Sequence, residues 1–105
     1  MGMAYIRFAK EEPELFKLLF MRDRSAENQA YDGNEMFDGS VDAVSRATGV
    51  SRERAVQIHA EMWLFVHGIA CQTAGKYFEW DDETVSNMLT DVYLGISSRK
   101  TGWNE

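Results

Sequence analysis

"MWLFVHGIACQ", Met62 to Gln72, is apolar at most positions yet sets His67 beside Gly68. Its length and lack of breakers read as the middle of a helix. A glycine there costs about 1 kcal/mol relative to alanine, and a histidine among apolar neighbours needs a hydrogen-bond partner. Something must press against the glycine or engage the histidine, and the fold turns on which.

Moving outward, Ser51 suits the N-cap of a long helix over 51–77. Ala55, Ile58, Met62, Phe65 and Ile69 fall on one line of it, and Val56, Trp63, Val66, Ala70 and Tyr77 on another. A helix apolar on most sides is surrounded, by its own domain or by a second subunit. Downstream, "WDDET" (Trp80 to Thr84) is a helix start with Asp81 as N-cap. Val85, Met88, Leu89, Val92, Tyr93 and Ile96 then keep helical spacing through a last helix over 81–99.

Upstream, Ser40 is expected to cap a short helix over 40–49 that Gly49 ends. Residues 1–22 read as two helices. Tyr5, Phe8 and Ala9 mark the first, and Pro13 opens a second that buries Phe16, Leu19 and Phe20. Between them and Ser40, residues 23–39 are polar and glycine-containing and read as a mobile loop carrying Tyr31, Met36 and Phe37. The expected fold is therefore all-α, with about five helices in one domain spanning 1–105.

The 105 residues are 45% hydrophobic and 27% charged, with one proline and one cysteine. That composition suits one globular domain. The lone Cys71 cannot form an internal disulfide and fits a reducing cytoplasm. No apolar run approaches the roughly 20 residues that a membrane-spanning helix needs. A net charge of −6 opposes a phosphate-binding surface. The chain also opens abruptly on a helix, as though a segment preceded it.

Val41 to Ile58, "VDAVSRATGVSRERAVQI", resembles a helix-turn-helix, with Gly49 at the turn and Arg52 and Arg54 opening the would-be recognition helix. Ser45 and Ala55 fit that motif poorly, and the second helix runs on into the aromatic segment. A capped helix pair is the plainer reading.

His67 and Cys71 lie four apart, with His59 two turns back. That spacing can place metal ligands or a thiolate–imidazole pair on one side of a helix. The sequence offers no further ligand one turn from both, so no catalysis, metal or cofactor is expected, and His67 reads as a core or interface histidine bonded to a neighbouring helix.

Gly68, Cys71 and Gly75 form a strip of small side chains, and Gly95 supplies a matching site on the last helix. Small residues let another helix approach closely. Two such helices from each of two chains would make a four-helix interface, lined by Leu64, Gly68, Cys71, Gly75, Met88, Val92 and Gly95. A close crossing within one chain is the alternative. Six methionines and many aromatics make the interior pliable. Phe16, Phe20, Met21, Met62, Trp63 and His67 are candidate lining of a ligand cavity, roofed by Met36 and Phe37, although such a stripe also serves as plain core.

Taken in order, "AYIRFAKEEPELFKLLFMRD" (Ala4 to Asp23) and "MWLFVHGIA" (Met62 to Ala70) resemble the C-terminal regulatory domain of tetracycline-repressor (TetR/AcrR) family transcription factors. The likeness rests on Tyr5, Phe8 and Ala9, on Pro13, Leu15 and Phe16, on Trp63, His67 and Gly68, and on the closing helix from Val85. It implies an orthogonal helical bundle whose last two long helices form the four-helix homodimer interface. It also implies a pocket for a small hydrophobic effector and, ahead of this domain, a DNA-binding head that this chain lacks. DNA would then be reached only through that N-terminal domain. A ligand-free helical interaction module remains the alternative, with a small metal-binding helical protein using His59, His67 and Cys71 as a more distant one.

Overall fold

The computed structural model describes residues 2–21 and 38–104, residues 38–40 in backbone only. Five helices follow in order: α1 (Gly2–Glu11), α2 (Pro13–Phe20), α3 (Asp38–Thr48), α4 (Arg52–Ala74) and α5 (Asp82–Ser97). No strand occurs among the described residues, in keeping with an all-α domain. Residues 23–37 of the expected loop lie outside the described residues, together with Tyr31, Met36 and Phe37, while Asp38 and Gly39, expected to end that loop, belong to α3.

Local chemistry places the breaks. Proline has no N–H, and its ring clashes with the carbonyl four residues back, so α1 stops before Pro13, which becomes the first residue of α2. Gly49, at φ 71°, leaves α3 by the left-handed region that glycine enters freely. The Ser51 hydroxyl accepts the Arg54 N–H at 3.2 Å, and the Asp81 carboxylate accepts the Thr84 N–H at 2.7 Å. Both expected N-caps form. Ser40 is not a cap, because α3 begins two residues earlier, at Asp38.

The end of α4 is closed by a Schellman motif: the Lys76 N–H donates to the Thr73 carbonyl and the Tyr77 N–H to the Gln72 carbonyl. Lys76 occupies the left-handed position at φ 58°, while Gly75, one residue earlier, keeps a right-handed conformation. Tyr77, expected within the helix, therefore lies beyond it and is 80% exposed.

α4 is the central helix and meets the other four. Its two halves serve two cores. Around the C-terminal half, Val66, Ile69, Ala70 and Ala74 pack with Ile6, Ala9, Phe16 and Val85. Around the N-terminal half, Ala55 and Ile58 pack with Val41 and Val50, flanked by Met62, Tyr93 and Ile96. Only one residue of α2, Phe16, is buried; Leu19 and Phe20 are exposed, against expectation. This eight-residue helix is little more than two turns long, and Phe16 is the side chain it turns fully into the core.

The helix-turn-helix likeness dissolves at the arginines. Arg52 pairs with Asp42, and Arg54 is 2% exposed. Its Nε and Nη2 donate to the carbonyls of Arg99 and Ile96, each at 2.9 Å, at the C-terminal end of α5. Residues after α5 fold back over the same place. The Trp103 indole N–H donates to Glu61 at 2.9 Å, and its backbone N–H to Gln57 at 3.2 Å.

Candidate functional site

His67 sits where α1, α2 and α4 converge. α4 carries it on the same side as Trp63 and Cys71, one turn away in each direction, and α1 and α2 bring Tyr5, Phe16 and Phe20 against that side. The His67 ring stacks on Trp63, with centroids 4.7 Å apart and planes 9° from parallel. Phe16 lies 6.0 Å away, and Phe20 meets Phe16 and Tyr5 at 5.2 Å each. Such ring pairs contribute about 0.5–1.5 kcal/mol each beyond area burial.

Both imidazole nitrogens are engaged. The Tyr5 hydroxyl is 2.8 Å from Nδ1, and the Cys71 sulfur is 3.3 Å from Nε2. With Tyr5 O–H donating to Nδ1, the ring is the Nε2–H tautomer and donates to Cys71 Sγ. Burial keeps all three groups in their uncharged forms. It lowers the His67 pKa and raises that of the Cys71 thiol. It also pushes Tyr5 up to about 12, with the neighbouring Cys71 adding to the rise. A thiol that holds its proton more tightly is a poor nucleophile. The chemistry available is that of an uncharged aromatic surface with one hydrogen-bonded relay.

Of the expected ligand-binding residues, Phe16, Phe20, Trp63 and His67 are brought together. Met62 is not with them; it packs against the other core, that of Val41, Val50, Ala55 and Ile58. Met21 is exposed just past α2, and Met36 and Phe37 lie outside the described residues. Tyr5 is the member that spacing along the chain could not supply. It lies 62 residues from His67, and the only trace of the pairing is that both belong to the family-like motifs. No group of three or more His, Cys, Asp or Glu able to hold a metal exists among the described residues.

The small-residue strip divides. A Cβ added at Gly68 or at Gly95 would meet nothing within 4 Å, and Leu64 and Leu94 beside them are 63% and 61% exposed. Gly75 is the C-cap of α4. Cys71 and Met88 are half-buried against the first core, and Val92 is half-buried on α5. The close helix approach within the chain is elsewhere: a Cβ at Gly2 would stand 3.1 Å from Val66 of α4 and 3.5 Å from Leu89 of α5.

A family model described as tetracyclin repressor-like, C-terminal domain, matches residues 1–92. No curated protein and no solved structure matches the chain.

Proposed function

The chain belongs to the tetracyclin repressor-like C-terminal domain family, and from that premise we propose that it is the dimerising, effector-sensing part of a transcriptional regulator. The observation that carries the proposal is the open setting of Gly68 and Gly95, each beside an exposed leucine on the two long helices. A helix glycine that no neighbour crowds gains nothing to offset its conformational cost, unless a second copy closes on it. Two copies meeting through α4 and α5 would bury Leu64 and Leu94 and give both glycines a close partner.

The uncharged ring cluster around His67 supports a small apolar effector, one that gains by displacing water from aromatic faces and pays no charge-desolvation cost. Such a ligand switches the regulator only through unequal affinity for two arrangements of the helices. α4 carries both the cluster and the strip, so a shift of α4 is felt at both. The dimer passes that preference to the DNA-reading part of the regulator.

Sedimentation of the parent and of Gly68→Leu tests the association. The parent is expected to be a dimer at tens of micromolar and the variant a monomer. Leucine is the better helix former by about 1 kcal/mol, so the variant keeps its helicity. A monomeric parent, or a variant that still associates, overturns the interface. Thermal shifts with apolar drugs, dyes and fatty acids test the effector, since a ligand that binds only the folded chain raises its melting temperature.

A further inference from the structure

The turn from α4 into α5 reads "KYFEWDDE" (Lys76 to Glu83) and carries Tyr77, Phe78 and Trp80. All three are exposed, at 80%, 51% and 37%. Phe78 and Trp80 are nonetheless held in place. The Trp80 indole N–H donates to Gln72 of α4 at 3.1 Å, and its ring lies 4.5 Å from Phe78. Beside them runs an open groove of about 420 Å³, lined by Lys10, Glu79, Trp80, Asp81 and Asp82. Exposed aromatics gathered beside a groove, with Trp80 in its wall, are enriched at protein contact surfaces.

The charge around this patch selects the occupant. Between residues 76 and 83 one lysine faces four carboxylates, Glu79, Asp81, Asp82 and Glu83. Lys10, the one cation lining the groove among the described residues, is already bound to Glu79 at 2.6 Å. The bond to Glu79 first, then the nearby charges of Asp82 and Glu11, hold the Lys10 ammonium above its ordinary pKa. A second copy brings the same acidic turn, and an isologous contact would set like charges face to face. Nucleic acid and anionic lipid are repelled for the same reason.

We propose that the aromatic turn at 76–83 docks a basic, arginine-bearing segment of a partner protein. Guanidinium planes stack on Trp and Tyr faces and fork onto carboxylates. The patch offers the aromatic faces with the exposed carboxylates of Asp82 and Glu83 beside them, Glu79 being paired with Lys10 and Asp81 capping α5. The inference does not rest on the effector reading or on the dimer, since Tyr77, Phe78 and Trp80 belong to neither.

The test is an NMR titration of the full chain with a short capped peptide alternating arginine and leucine, and with its glutamate counterpart. Saturable shifts are expected at residues 76–83, Lys10 and the Trp80 indole, with the arginine peptide alone. The exposed pair Tyr77→Ser, Phe78→Ser should weaken binding about tenfold, the loss of two aromatic anchors. Glu79→Gln with Asp82→Asn should weaken it severalfold, whereas Glu53→Gln with Asp91→Asn, an equal charge change elsewhere, should alter it less than about twofold. Binding of the glutamate peptide, equal loss from both charge pairs, or shifts centred elsewhere would each overturn the proposal. So would a fall in sedimenting mass on replacing Tyr77 and Phe78, which would make a second copy the occupant.

Discussion

Replacing Arg54 by alanine removes the tie between the first turn of α4 and the end of α5 with the residues just past it. Its Nε–H and Nη2–H bonds to the Arg99 and Ile96 carbonyls are each 2.9 Å. The contacts of Nη1 with Glu61 and Gln57, at 3.3 and 3.4 Å, are longer and add little. A hydrogen bond to a charged donor contributes about 1.5–3 kcal/mol net. Some of that survives the change. The Ile96 carbonyl keeps the Arg99 N–H, and Glu61 and Gln57 keep Trp103. The balance is a loss of about 3–4 kcal/mol, a large part of the roughly 5–15 kcal/mol that stabilises a domain. In melting temperature that is on the order of 15 °C for a chain of this size. Urea unfolding followed by far-UV circular dichroism measures it directly. Arg54→Lys keeps the charge but offers one compact ammonium where two diverging donors are needed, so it should recover less than half. A loss below about 1 kcal/mol for Arg54→Ala would refute the reasoning and return Arg54 to the role of an ordinary surface cation.

Lys76→Gly should stabilise the chain by about 1 kcal/mol, because glycine enters the left-handed position that lysine occupies at φ 58° without steric cost; a destabilised variant in the same urea assay would contradict this. Tyr5→Phe removes the hydroxyl that bonds His67 Nδ1 and should cost about 1 kcal/mol, while shifting the His67 ring signals in NMR. An unchanged His67 spectrum would argue against that bond. Burial lowers the pKa of both His59 and His67, so the unfolded chain takes up protons first as pH falls. Their contribution is fully present above the unfolded value near about 6.5 and is lost as pH falls below it through the folded values. Unfolding free energy should therefore decline between about pH 7 and about pH 5, and a flat profile there would count against the burial of both rings.

Local chemistry along the chain carried the helix count and most of the boundaries. Pro13, Gly49, Ser51 and Asp81 act on neighbours within four residues, so their effects can be read in order. Ser40 misled because a serine suits either a cap or a helix interior, and the backbone of Asp38 and Gly39 settles the choice. Tyr77 misled because apolar spacing continued past the residue where the Schellman turn closes α4. The candidate site was only half readable. Phe16, Phe20, Trp63 and His67 share helix faces that spacing predicts, but Met62 looks equivalent to Trp63 until the second core forms and Met62 packs against it.

Short-range forces were enough to state that the chain makes helices, where Pro13 and Gly49 interrupt them, and that α4 is the element others must cover. Periodicity identifies an apolar face without identifying what will lie against it. Leu19, Leu64 and Leu94 carry the same local signal as Ile58 and Val85, yet the first three are exposed and the last two buried. Closure of the bundle made that division, and with it the meeting of Tyr5 with His67 across 62 residues and the withdrawal of Arg54 from solvent. Each depends on the relative placement of whole helices, which is set by packing summed over many distant contacts and leaves no periodic mark in the chain.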